Sequence, residues 1–122
     1  MKNLNKAKGT LGENMAAQYV LSKEYQVLCR NFIAPYGEID IIAVDKDYIV
    51  FIEVKTRQSE QFGTPAQAVN FHKQRKISSV AAFYITSNQL FDKNIRFDII
   101  EVDSSTSAIN HIENAFDSTV RI

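Results

Sequence analysis

Four charged residues interrupt two otherwise apolar runs of this chain: Glu38 and Asp40 in GEIDIIAVD, and Glu53 and Lys55 in YIVFIEVKTR. Both runs are rich in β-branched residues and suit strands. Between them lies the polar triplet Asp45-Lys46-Asp47. With Lys46-Asp47 as a two-residue hairpin loop, Asp45 pairs with Tyr48. Counting back puts Asp40 opposite Glu53 and Glu38 opposite Lys55. Side chains alternate faces along a strand, so these four charges share one face, with Ile42, Val44, Ile49 and Phe51 nearer the turn. The other face is apolar throughout: Ile39, Ile41, Ala43, Val50, Ile52 and Val54. A sheet that is apolar on both faces is covered on both, usually by helices.

The charges therefore sit at one end of a buried face. Burying three carboxylates and a lysine is costly unless something compensates, and a divalent cation would do so. Carboxylate oxygens suit Mg²⁺ and Mn²⁺. Asp40 and Glu53, directly opposite on neighbouring strands, have the reach to hold one ion together. Lys55 follows on the same face, where it could orient a water and stabilise charge on a phosphate. That chemistry is phosphodiester hydrolysis. A second reading of the same residues is an inert salt-bridged quartet at a sheet end, with Glu38 paired to Lys55. The E-x-K tripeptide is short and does not choose between them; the matching hairpin positions favour a site.

The elements that must hold this hairpin are legible on either side. A basic tail over residues 1–8 precedes a helix from about Thr10 to Glu24, with Thr10 and Glu13 as a capping box. Its inward face carries Glu13, Ala16, Ala17 and Val20. Glu13 serves either as a cap and dipole partner or as a carboxylate aimed at the hairpin. Tyr25 to Ile33 reads as a first strand. After the hairpin, Thr64 caps a second helix running to about Ile85, with Pro65 at its first position and Gln67 closing a capping box. Val69, Lys73, Ile77, Val80 and Tyr84 form one stripe of that helix. Lys73 is its odd member, and Arg75 and Lys76 lie beside it. These cations are either a solvated face or a phosphate-contacting surface, with Lys73 reaching the carboxylates. Ile95 to Val102 is a strand, and Ala108 to Phe116 pairs back as an edge strand.

The 122 residues suffice for one domain with a single core. No apolar run approaches the length of a membrane span, and the basic N-terminus lacks the apolar segment of a secretory signal. Cys29 is the only cysteine, so no internal disulfide partner exists, which suits a reducing cytoplasm. No Cys/His cluster has zinc spacing. Formal net charge is zero, an argument against strong non-specific nucleic-acid binding.

GEID followed by FIEVKTR resembles the signature of the PD-(D/E)XK nuclease superfamily, and within it the YraN-like family, related to Holliday-junction resolvases and restriction endonucleases. The likeness extends to Gly9, Gly12, Glu13 and Ala16, to Arg30-Asn31-Phe32, to Phe62-Gly63, to Val69 with Lys73, and to Arg96-Phe97-Asp98. It covers roughly residues 9–102, leaving 103–122 as edge strand and tail of one domain. It implies an α/β (α+β) restriction-endonuclease-like α-β-β-β-α-β core. It also implies a metal site of Asp40 and Glu53 assisted by Glu13, with Lys55 as the catalytic lysine and Glu38 in support. Asp40 follows Ile39 rather than a proline, a departure the family shares. The function expected is a Mg²⁺- or Mn²⁺-dependent endonuclease acting on DNA, including branched or damaged DNA, with nucleic-acid contacts from Lys73, Arg75, Lys76 and Arg57. The alternative is an accessory nucleic-acid-binding module of a repair or recombination complex, without turnover. A chain of this size offers one active site, so cutting two strands would take a homodimer or two visits.

Overall fold

The computed structural model describes residues 2–57 and 69–122. Along these the order is α1 (Lys2–Ser22), β1 (Gln26–Ala34), β2 (Gly37–Asp45), β3 (Tyr48–Arg57), α2 (Phe71–Ser87), β4 (Asn94–Asp103) and β5 (Ile109–Phe116). The strands form one sheet in the order β1-β2-β3-β4-β5. Neighbours are antiparallel except β3 and β4, which run parallel. Parallel neighbours need a crossover, and the connection between β3 and β4 includes α2. This is the expected mixed α/β core.

Each face of the sheet has its own helix. On one, α1 buries Ala16, Ala17 and Val20 against Ile41, Ala43, Val50, Ile52, Ile100 and Val102. On the other, α2 buries Ile77, Val80, Ala81 and Ile85 against Ile42, Ile49, Phe51, Phe97 and Ile99. Coverage of both faces is what the doubly apolar hairpin demanded. Gly12 brings α1 down onto β3: a Cβ there would collide with the Thr56 hydroxyl.

Two helix starts and one strand face differ from expectation. α1 begins at Lys2, so the expected tail is helical and Thr10 lies inside the helix rather than capping it. Lys, Leu and Ala in this stretch are good helix formers, and the capping pattern misplaced the start. α2 begins at Phe71, capped by Asn70, whose extended backbone (φ −76°, ψ 172°) breaks the helix while its side chain accepts from Lys73 N at 2.9 Å. Asn at a cap competes with helix continuation by bonding the backbone itself. The capping box of Thr64, Pro65 and Gln67 lies outside the described residues.

The third difference concerns Ile39, expected beside Ile41 and Ala43. It packs instead in the α2 cluster with Ala34 and Val80. Its ladder partner Phe32 packs there too, whereas the preceding pair, Arg30 and Ile41, faces α1. Both strands thus lose their period-two alternation at the intervening position, Asn31 on β1 and Asp40 on β2. Asn31 has φ 52°, the left-handed region that Asn tolerates better than most residues. One left-handed residue re-aims the chain on either side of it, and β2 follows.

A second polar assembly crosses the α1 face at the hairpin-turn end. Arg96 donates to Asp98 (2.9 Å), Asp45 (3.0 Å) and the Tyr25 hydroxyl (2.8 Å). Asp98 also accepts from Asn114 N (2.9 Å) and bonds His111 Nε2 (2.7 Å), while His111 Nδ1 meets Tyr19 (3.1 Å). A carboxylate only accepts, so His111 Nε2 is the donor there.

Candidate active site

The β2–β3 register matches the expected one from Asp45–Tyr48 to Ile41–Ile52. Beyond that pair a side chain takes over from backbone pairing: Val54 N–H donates to Asp40 Oδ2 at 2.8 Å. The shared break at Asn31 and Asp40 makes this possible, because it turns Asp40 out of regular alternation and into the gap between the strands. From there Asp40 faces Glu53, whose charge and side chain both act on its carboxyl.

Burial, then the facing charge of Glu53, push the Asp40 carboxyl up to about 8; Glu13 adds to the push, and the Val54 amide opposes it. Two carboxyls in contact and largely out of water cannot both ionise cheaply. Either a proton is shared or a cation compensates. The hard oxygen donors of this pair suit Mg²⁺ or Mn²⁺, so the residues present fit such an ion. Among the described residues no group of three or more His, Cys, Asp and Glu side chains converges on one ion position. The pair is Asp40 and Glu53, with Glu13 acting on Asp40 through its charge.

Glu53 is buried and carries two lysines on one oxygen. Lys55 Nζ stands 3.6 Å and Lys73 Nζ 3.5 Å from Glu53 Oε2. Lys55 reaches it along β3, from two residues on. Lys73 reaches it from the first turn of α2, so the odd cation of the helix stripe does meet the carboxylates. Both lysines keep part of their side chains in solvent.

Glu13 faces the strands from α1, and Asn31 Nδ2 donates to its Oε1 at 2.9 Å. Beside it, Arg30 Nη2 donates to Asn14 Oδ1 at 2.7 Å. Asn31 is the residue that sequence reasoning missed. It lies within the expected first strand, yet its left-handed backbone and its amide together orient Glu13. An Asn amid apolar β1 residues, in the Arg-Asn-Phe triplet, was the available signal.

The remaining candidates divide. Glu38 is exposed, lies opposite Ile33 in the β1–β2 ladder, and is not among the charges that bear on Asp40. The expected Glu38–Lys55 pair is therefore replaced by Glu53–Lys55. Arg57 Nε lies 3.5 Å from the fully buried Glu101, which ties Arg57 to β4. Arg75 and Lys76 are exposed on α2.

These features define a mixed-sheet protein with an acidic pair, flanked by lysines, where two central strands part. The model of the uncharacterised protein family UPF0102 matches residues 12–102. A UPF0102 protein of Caldanaerobacter subterraneus subsp. tengcongensis is 49 % identical over 122 residues, covering 95 % of this chain and all of its own. One from Clostridioides difficile is 49 % identical over 112 residues, covering 92 % of this chain and 98 % of its own. One from Thermodesulfovibrio yellowstonii is 46 % identical over 108 residues, covering 88 % and 94 %. The chain belongs to the UPF0102 family.

Proposed function

We propose that this protein is a Mg²⁺- or Mn²⁺-dependent endonuclease that hydrolyses phosphodiester bonds in DNA, as its resemblance to the PD-(D/E)XK nucleases implies. The observation that carries the reading is the contact between Asp40 and Glu53, with Lys55 and Lys73 both on Glu53. An inert salt bridge would give each carboxylate its own cation; here Lys55 and Lys73 both sit on Glu53, and a second, largely buried carboxyl faces it.

Asp40 and Glu53 would hold the ion, which supplies Lewis-acid polarisation of the phosphate and a more acidic water. The Val54 amide keeps Asp40 in place for this. Lys55, steered by Glu53, donates to the attacking water or to a non-bridging phosphate oxygen and stabilises the charge that develops there. Lys73 offers a second cation from the other side of Glu53 and anchors the phosphate. Glu13, fixed by Asn31, adds negative charge behind Asp40 and strengthens its hold on a cation. Arg75 and Lys76 extend the phosphate-contacting surface along α2.

A second reading, an accessory module that binds nucleic acid without turnover, is supported by the exposed Arg75 and Lys76 of α2, cations that could meet phosphates without a metal. Supercoiled, single-stranded and four-way-junction DNA, incubated with Mg²⁺ and with Mn²⁺, separate the two. Cutting that needs metal and vanishes in Glu53→Gln is expected. Binding in Ca²⁺ without cutting in either metal would transfer the case to the accessory module.

A further inference from the structure

The C-terminal tail leaves β5 and returns across α2, where Thr119 N donates to the buried Ser78 hydroxyl at 3.1 Å. Between this tail and the β1–β2 turn lies a groove of about 500 Å³, lined by Tyr36, Ser79, Phe83 and Arg121 among others. Tyr36 is 56 % and Phe83 38 % exposed. They meet edge to face, with centroids 6.4 Å apart at 74°. Phe83 is backed by Phe32, and Phe32 by the core ring of Tyr84. The rings are thus held from behind while one side stays open.

Two lysines of α2 lead from the candidate active site toward the groove. Lys76, Ser79 and Phe83 follow at steps of three and four and so share one face of α2. Lys73, one turn before Lys76, touches Glu53. Ten residues of helix separate Lys73 from Phe83, a span of about 15 Å. Arg121 supplies a further cation at the far end. Aromatic faces beside a row of cations are what a single nucleic-acid strand requires: bases stack on the rings while the backbone follows the charges. Bases inside a duplex have no free face to offer.

We propose that this groove is a stacking site for unpaired bases of a DNA strand whose phosphate lies at the Asp40–Glu53 pair. It rests on the nuclease reading and narrows it: the substrate has single-stranded character beside the cut, as at a flap, gap or junction arm.

The chain has no tryptophan, so Tyr36→Trp installs a single tryptophan, in the groove, that can be excited apart from the tyrosines. The full chain in Ca²⁺ would be titrated with a 15-mer of dT, an abasic strand of equal length, a blunt duplex, and poly-glutamate, with anisotropy of labelled DNA in parallel. The dT strand should quench Trp emission, and the abasic strand should not. Tyr36→Ala should weaken dT binding roughly 5- to 150-fold and leave duplex binding within about twofold. Phe83→Leu, which keeps an apolar plug over Phe32, should act in the same direction. Binding of dT with unchanged Trp emission would overturn the stacking site, as would Tyr36→Ala binding it like wild type. Metal-dependent cleavage surviving in that case would leave the nuclease reading standing. Quenching by poly-glutamate alone would reassign the groove to a peptide. Failure to bind any DNA would overturn groove and nuclease together.

Discussion

Lys55 and Lys73 share one oxygen of Glu53, yet they should not be equivalent. Lys55 comes from the rigid sheet and is aimed by its strand; Lys73 comes from a helix and keeps more of its side chain in solvent. Lys55→Ala should therefore abolish cleavage while leaving Mn²⁺ binding, followed by calorimetry, nearly intact. Loss of such assistance typically costs 10²–10⁴-fold, so a rate within about tenfold of wild type would contradict the role given to Lys55. Asp40 gives the complementary test. Its carboxyl is raised from an ordinary 3.8 to about 8 in the metal-free fold, so the folded state holds a proton that the unfolded chain releases. That contribution is fully present below about pH 4 and is lost as pH rises through about 8. Asp40→Asn keeps an oxygen for the Val54 amide and has nothing to ionise. Metal-free, it should melt close to wild type at pH 4 and higher at pH 9, by on the order of 1 kcal/mol or more, roughly 3–6 °C for each kcal/mol. Added Mn²⁺ should raise the wild-type melting temperature with concentration and do much less for the variant. A variant that melts lower at both pH values would make Asp40 a structural partner instead.

At the scale of elements, the hairpin was legible because two independent patterns agreed. Alternation set the faces and the turn set the register, and together they put Asp40 beside Glu53. The helix coverage followed from apolar residues on both strand faces, and Lys73 from a cation in an apolar stripe. What escaped was backbone conformation. The left-handed turn at Asn31 leaves no periodic trace, since Asn tolerates both conformations, and so Ile39 was assigned to the wrong face. The start of α1 escaped because Thr10, a capping residue inside a helix, looks like one at its end, and that of α2 because the Asn70 cap carries no mark beyond its residue type. The packing of α1 on β3 can be tested through Gly12. Alanine in a helix normally gains about 1 kcal/mol over glycine. Gly12→Ala should nonetheless lower the melting temperature, because the new methyl meets the Thr56 hydroxyl. Combining it with Thr56→Ala should recover the loss, and a stabilised single variant would mean that Thr56 simply turns aside. On α2, replacing Arg75 and Lys76 with Ala should weaken DNA binding of every sequence alike and flatten its salt dependence by about one unit per lost contact.

Across the whole molecule, two polar assemblies divide the labour. The Asp40–Glu53 end gathers like charges and is left under tension in the metal-free state. The Arg96–Asp98–His111 assembly pairs opposite ones and ties α1, the hairpin, β4 and β5 together. Burial alone would raise the Asp98 carboxyl, but bonds from His111, Arg96 and the Asn114 amide outweigh it and hold it below the ordinary value. Its contribution is therefore present above about pH 4 and is lost as pH falls through the lowered value. Asp98→Ala takes one carboxylate from the largely buried Arg96 and leaves His111 Nε2 and the Asn114 amide without their acceptor; it should cost about 3–5 kcal/mol, with a fall of roughly 10–20 °C in melting temperature. A fall of only a few degrees would show that Asp45 carries Arg96 by itself. No helix among the described residues is long and apolar enough to cross a membrane.

The bond from the Val54 amide to Asp40 also gives the molecule a built-in reporter. An amide proton is exquisitely sensitive to the charge on its acceptor, and this one belongs to a backbone position that no substrate needs to touch. In a two-dimensional ¹H–¹⁵N spectrum its resonance should shift as Asp40 titrates and shift again when a cation binds the carboxylate that the amide holds in place. A single cross-peak would then report proton and ion occupancy separately, in the wild-type protein and without any label at the site.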